Sequence, residues 1–218
     1  MLQIIIPIKP LHKAKSRLVS VLESHTRESL VLMMLNRVIK ASKDALGSSS
    51  CTVLGGDKII EKIVLEHQLE LEKDAATNLN DSLWIAIRDA QRKGFSATLI
   101  LPADLPLLMA EDILEIVRAS DNYCSHVCSP ASSEGGTNAF FQPAEGAIKP
   151  MMGLDSFNKH REFIKSLGKK FAVVERDGVG FDLDNKVDYE WASSNIHGWD
   201  RDLKSWELWL LSHKELYG

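Results

Sequence analysis

The spacing of apolar positions along this chain switches repeatedly between unbroken short runs and a three-and-four period. Leu2–Ile8 is a β-branched apolar run, which predicts a strand buried on both faces. Shorter runs of the same kind follow at Cys51–Leu54, Leu69–Leu71, Ala97–Leu101, Ser125–Ser129 and Phe171–Glu175, and another strand follows the glycine pair at 135–136. Between these runs the period is helical. Within Thr26–Leu46, Leu30, Met34, Val38, Ala41 and Ala45 share one face, with Thr26 as candidate N-cap. A second helix covers Ile59–His67. A third runs to about Lys93 with Leu83, Ile87 and Ala90 inward, capped by Asn80 or Asp81. Glu111–Ala119 and a stretch from Asp155 or Ser156 to about Leu167 are helical by the same measure. Near the end, Trp206, Trp209, Leu210 and His213 fall at i, i+3, i+4 and i+7. That amphipathic helix is expected to pack on the main domain or on a second copy. Strands alternating with helices predict an α/β fold, a mostly parallel sheet with helices on both faces and right-handed crossovers. The main domain spans residues 1–192, followed by a Trp-rich helical extension over 193–218.

Composition narrows the picture only a little. At 218 residues the chain can bury a sizeable core without staples, and its net charge of −4 disfavours a nucleic-acid polymer as partner. No window reaches the roughly 18 apolar residues of a membrane span, and the first residues carry no basic leader. The three cysteines, Cys51, Cys124 and Cys128, complete no zinc pattern, and a sparse odd number fits a reducing cytosol. A cytoplasmic protein with no membrane partner is the expectation.

Candidate chemistry sits where the strands end. Leu99–Leu101 is apolar, stops at Pro102, and places Asp104 just beyond the strand. Open α/β sheets bind ligands outside the carboxyl ends of their strands, so Asp104 is a candidate metal ligand. The alternative is a loop carboxylate that caps the next helix. After the first strand, Lys9, Lys13, Lys15 and Arg17 put four cations in nine residues, on the same edge as Asp104 if the strands are parallel. Alternation over Phe181–Asp184 puts Asp182 and Asp184 on one side of an extended segment. Two such carboxylates repel unless a cation lies between them, and magnesium suits a few carboxylates shared with substrate phosphates. Gly135-Gly136 allows close backbone approach with Thr137 adjacent, and the helix start near Ser156 could offer free N–H groups to an anion. No Gly-x-x-x-x-Gly-Lys-Ser/Thr loop, Gly-x-Gly-x-x-Gly fingerprint or Gly-x-Ser-x-Gly elbow occurs, which disfavours P-loop, dinucleotide and serine-hydrolase chemistry.

An ordered set of motifs adds a resemblance. Ile6-Pro7-Ile8-Lys9-Pro10 with Ala14-Lys15-Ser16-Arg17-Leu18, Leu79-Asn80, Pro102-Ala103-Asp104-Leu105-Pro106-Leu107, Gly135-Gly136-Thr137-Asn138-Ala139, and Gly153 with Ser156-Phe157 and His160 resemble the guanylyltransferases of coenzyme F420 biosynthesis. The set covers about residues 2–188 in order. The resemblance implies a Rossmann-like nucleotidyltransferase fold. It implies transfer of GMP from GTP to 2-phospho-L-lactate, phosphoenolpyruvate or 3-phospho-D-glycerate, with release of pyrophosphate. Carried over, Asp104, Asp182 and Asp184 would hold Mg2+, with Lys15 and Asp104 as catalytic residues. Lys9, Lys15 and Arg17 would meet the GTP phosphates, and Asn80 becomes a nucleotide contact rather than a cap. Thr137, Gly153 and Ser156 would bind the acid and its phosphate. The family and the apolar tail are also compatible with a homodimer.

The resemblance has limits. Asn185-Lys186-Val187-Asp188 stands where the family often has Thr-Pro, so the helix entry there is expected to differ. An attacking phosphate is already anionic near neutral pH, so no general base is required, and His160 reads as structural or ligand-orienting. Two alternatives stand beside this. One is a nucleotidyltransferase acting on molybdopterin or a methylerythritol phosphate, although those usually carry a glycine-rich first loop. The other is a nucleotide-binding module without turnover, whose working surface is the Trp-rich tail.

Overall fold

The computed structural model describes residues 1–74, 76–132 and 135–217. Its strands are β1 (Leu2–Ile8), β2 (Cys51–Gly55), β3 (Glu70–Glu72), β4 (Ala97–Ile100), β5 (His126–Pro130), β6 (Thr137–Pro143) and β7 (Phe171–Val173). The helices are α1 (Ser24–Leu46), α2 (Lys58–Glu66), α3 (Leu79–Arg92), α4 (Ala110–Ala119), α5 (Ser156–Ser166), the single turn α6 (Asp177–Gly180), α7 (Lys186–Asn195) and α8 (Trp199–Ser212). The strands form one sheet in the order β3-β2-β1-β4-β6-β5-β7. Pairings β1/β2, β2/β3, β1/β4 and β5/β7 are parallel, while β6 runs antiparallel to both β4 and β5.

The reversal of β6 matters most for the site. Only residues 131–136 separate β5 from β6, far too few for a parallel crossover, so the chain turns back as a hairpin. Ile100 then pairs with Phe140. Extending that register carries Thr137 past Ile100 to the level of the Pro102–Asp104 turn. In a parallel arrangement Thr137 would start at the opposite edge.

Alternation along β1 splits the core. Ile4 and Ile6 pack with α1, α2 and α4 on one face, and Ile5 packs with α3 and α5 on the other. A third cluster joins Leu18, Leu30, Met33 and Met34 to Leu183, Ala192, Trp199 and Leu203. Here α8 lies on α1, with Leu210 buried and Trp206 and Trp209 half-buried, so the Trp-rich stripe packs against its own chain.

Two expected caps are corrected. Helix α1 starts at Ser24 with Glu23 at the N-cap position, and the Thr26 hydroxyl inside the helix bonds Glu207 instead. Helix α3 is capped by Asn78, whose Oδ1 accepts from the Asp81 amide, not by Asn80 or Asp81. Asp155 holds the N-cap position of α5 in a left-handed conformation with no side-chain cap bond. The divergent entry to α7 is satisfied locally. Asn185 accepts from the Val187 and Asp188 amides, while Asp188 accepts from those of Asp184 and Asn185.

Candidate active site

At the C-terminal ends of β1 and β4 the sheet opens into a cleft of about 1520 Å³. That exceeds the roughly 300–1,000 Å³ of a pocket for one small ligand, so two substrates can lie side by side. Lys9, Lys15, Arg17, Asp104, Thr137, Gly153, Ser156, Asp182 and Asp184 all line it.

Lys15 stands at the centre. Its backbone is left-handed at φ 49°, a cost for a lysine that turns its side chain inward between two short 3₁₀ turns. The ammonium donates to Asp104 Oδ2 at 2.5 Å and to Asp184 Oδ1 at 2.6 Å, and its side chain is only 8% exposed. Burial works to lower its pKa, yet the charges of Asp104 and Asp184 outweigh that and hold it above the ordinary lysine value. Arg17 Nη1 lies 3.8 Å from Asp184 Oδ2. Burial likewise pushes Asp184 upward, but Lys15, with Arg17 and Lys9 behind it, brings it below the usual carboxylate value.

The acidic segment is held to the Asp104 turn by backbone as well as by charge. The Leu183 amide donates to the Asp104 carbonyl at 3.1 Å, and Leu183 itself is buried among Leu18, Met33 and Trp199. Asp182 and Asp184 therefore flank an anchored apolar side chain. Asp182 Oδ1 accepts from Asn138 Nδ2 at 3.1 Å. Burial first, then the charges of Asp104 and Asp184, raise the Asp182 pKa against the opposing Asn138 bond. Sequence reasoning passed over Asn138 as a site residue, although it sits inside the Gly-Gly-Thr-Asn motif.

These groups suit a hard divalent cation. The Asp104 Oδ1 atom is buried and, among the described residues, accepts no hydrogen bond, an orphan that a cation would satisfy. As the side chains stand, Lys15 bridges Asp104 and Asp184, and among the described residues no three carboxylate, imidazole or thiol groups close on a single point.

Thr137 and Ser156, which also line the cleft, form a hydroxyl pair, with Ser156 Oγ 3.0 Å from Thr137 Oγ1. The free amides expected at the start of α5 are partly spent. The Ser156 amide donates to the Gly153 carbonyl, and the Phe157 amide to that of Gly135. Asn80 is not among the cleft-lining residues. Its Oδ1 accepts from the Met152 amide at 2.7 Å and its Nδ2 donates to the Met152 carbonyl at 3.2 Å, so it clamps the segment leading to Gly153. Asp57, unremarked in the sequence, caps α2 and accepts from the Leu11 amide at 2.7 Å, tying the basic loop to the sheet edge.

Comparison with known proteins gives the family and the fold. A family described as "Guanylyl transferase CofC like" matches residues 2–207. A phosphoenolpyruvate guanylyltransferase of Rubrobacter xylanophilus is 35% identical over 185 residues, covering 84% of this chain and 89% of that one. Its namesake in Chloroflexus aggregans is 32% identical over 189 residues, covering 85% and 93%. A 2-phospho-L-lactate guanylyltransferase of Methanocaldococcus jannaschii is 28% identical over 205 residues, covering 94% and 87%. Among solved structures, a nucleotidyl transferase from Methanothermobacter thermautotroptrophicus shares the fold at a TM-score of 0.66 and 15% identity, over 94% of this chain and 99% of that one. With family match, relatives and fold in agreement, this chain is a nucleotidyltransferase and belongs to the CofC-like guanylyl transferase family.

Proposed function

We propose that this protein transfers GMP from GTP to a phosphorylated three-carbon acid and releases pyrophosphate, a step in building coenzyme F420. The observation that carries this reading is the convergence of the basic loop after β1, the Asp104 turn and the Asp182–Asp184 segment on one ammonium, in a cleft also lined by a buried hydroxyl pair. Cations and carboxylates of that kind serve an oligophosphate. The hydroxyl pair and glycine turn serve a second, smaller anion.

In this mechanism an oxygen of the acid's phosphate attacks the α-phosphorus of GTP in line. The P–O bond to the β-phosphate breaks, and pyrophosphate leaves. Lys9, Lys15 and Arg17 bind the triphosphate and stabilise the charge on the departing group. Asp104, Asp182 and Asp184 would hold Mg2+, which when bound draws the two phosphates together and offsets their repulsion. Lys15, which bridges Asp104 and Asp184 in this structure, would turn toward the phosphates when the triphosphate binds. Thr137, Gly153 and Ser156 hold the acid so that its phosphate faces GTP, which supplies the rate gain of orientation. Phosphoenolpyruvate and 2-phospho-L-lactate are the acids named for the relatives, and 3-phospho-D-glycerate is the third to be tried.

The test is GTP consumption with Mg2+ and each acid separately, with mass analysis of the product. One acid should yield a guanosine diphosphate-linked product, and Asp104→Ala should abolish it while the protein stays folded. Turnover retained in Asp104→Ala would refute the metal assignment. GTP binding without pyrophosphate release from any acid would refute the reaction.

A further inference from the structure

His160 lies behind the hydroxyl pair and does not line the cleft. It is fully buried and stacked on Phe140, ring centroids 4.3 Å apart at 18°. It sits four residues after Ser156 on α5, so the two side chains share a helix face. Its two nitrogens have different partners. The Met151 amide donates to Nε2 at 2.8 Å, and Nδ1 is 3.2 Å from Thr137 Oγ1.

A backbone N–H can only donate, so Nε2 is an acceptor and carries no proton. A neutral imidazole then carries its hydrogen on Nδ1, and that hydrogen goes to Thr137 Oγ1. Burial, which pushes His160 down to about 4, keeps the ring neutral near pH 7. Now the hydrogens can be counted. Nδ1–H, the Thr137 hydroxyl and the Ser156 hydroxyl bring three, and the two contacts among these groups use two. Among the described residues neither hydroxyl has a further acceptor, and both line the cleft. One hydroxyl hydrogen is therefore left for a ligand. In the opposite tautomer Nδ1 would accept from Thr137, Thr137 would accept from Ser156, and the pair would meet the cleft with lone pairs alone.

We propose that His160 is a positioning residue for the acceptor acid: fixed as the Nδ1–H tautomer by the Met151 amide, it donates to Thr137 and makes the Thr137–Ser156 pair a hydrogen-bond donor to an anionic oxygen of the substrate. This rests on the reading that the pair binds the acid. The selection is electrostatic. A donor pair donates to a phosphate or carboxylate oxygen, whereas an acceptor pair would repel it. The clamp of Asn80 on Met152 supports the same segment from α3, so the Met151 amide is held where it can dictate the tautomer.

The experiment combines imidazole 15N NMR on the full-length protein with steady-state kinetics of His160→Phe and His160→Asn. The expected spectrum at pH 7 shows a protonated Nδ1 and an unprotonated Nε2, and a protonated Nε2 would overturn the proposal. His160→Phe keeps the stack on Phe140 and leaves the two hydroxyls one spare hydrogen, but removes the donor that occupies a Thr137 lone pair and so turns that hydrogen into the cleft. It should raise KM for the acid about threefold to tenfold, the misalignment of one charge-assisted hydrogen bond, with KM for GTP unchanged. His160→Asn, whose amide nitrogen reaches the place of Nδ1, should recover most of that loss. An unchanged acid KM in His160→Phe, or equal rises for acid and GTP, would overturn the proposal. If His160→Phe does not fold, the Asn variant and the wild-type spectrum decide. If the wild-type protein uses none of the acids, the proposed reaction fails, and the spectrum alone then decides the polarity of the pair.

Discussion

Lys15 shows how a single residue joins opposing demands. Its left-handed backbone costs on the order of 1 kcal/mol, and burying its charge costs more, yet two carboxylates hold it in place. Lys15→Met should leave Asp104 and Asp184 facing each other without a counter-charge. Pyrophosphate release should fall by roughly a hundredfold or more, the scale of removing one preorganised charge partner. A rate within about threefold of wild type would place the triphosphate elsewhere. Gly55 illustrates a steric limit. It ends β2 at φ +92°, and an added Cβ would meet the Ile8 carbonyl oxygen at 2.5 Å. Gly55→Ala should therefore destabilise by about 2 kcal/mol, read from urea unfolding, through backbone strain together with the displacement of β1 where the basic loop begins.

At the scale of elements, the Trp-rich end acts as a brace for the site. Trp199 is buried in one cluster with Leu18, which follows Arg17, and Leu183, which separates Asp182 from Asp184. Arg37 of α1 donates to the Pro106 carbonyl at 3.1 Å and pairs with Asp202 of α8 at 3.0 Å, so α8 also steadies the turn carrying Asp104. Trp199→Ala should cost about 3–5 kcal/mol and lower the melting temperature by roughly 10 °C. Its KM for GTP should rise, because the carboxylates and the basic loop lose a shared support. Much of this level was legible in the pattern. The i, i+3, i+4, i+7 stripe marked α8 as amphipathic and named two places it could pack. The neighbours of Trp199 were not legible, since residues 18, 183 and 199 come from three separate segments that meet only where they pack on Leu30, Met33 and Met34 of α1.

For the whole molecule, two buried histidines on separate elements link stability to pH. Burial, aided at His126 by Lys169, lowers His126 and His160 to about 4 from an ordinary 6.5. Between those values the unfolded chain binds protons that the native protein does not. Stability that is fully present above pH 6.5 is thus lost as pH falls toward 4, by a few kcal/mol per histidine. Unfolding from pH 7 to pH 5 should show this slope, and His160→Phe should flatten it by about half. An unchanged slope would mean that His160 is charged in the folded protein. The chain's linear pattern determined the α/β class, most strand and helix positions, and the residue types at the sheet edge, because periodicity and strand-end chemistry are local properties. The tertiary structure decided what is non-local. The hairpin reversal of β6 brings Thr137 level with Asp104. Lys15 is buried between carboxylates 89 and 169 residues away. Asn80 turns to the Met152 backbone, and the Met151 amide fixes which nitrogen of His160 carries its hydrogen. Each depends on distances between segments remote in sequence, which only the packed sheet and its helices define.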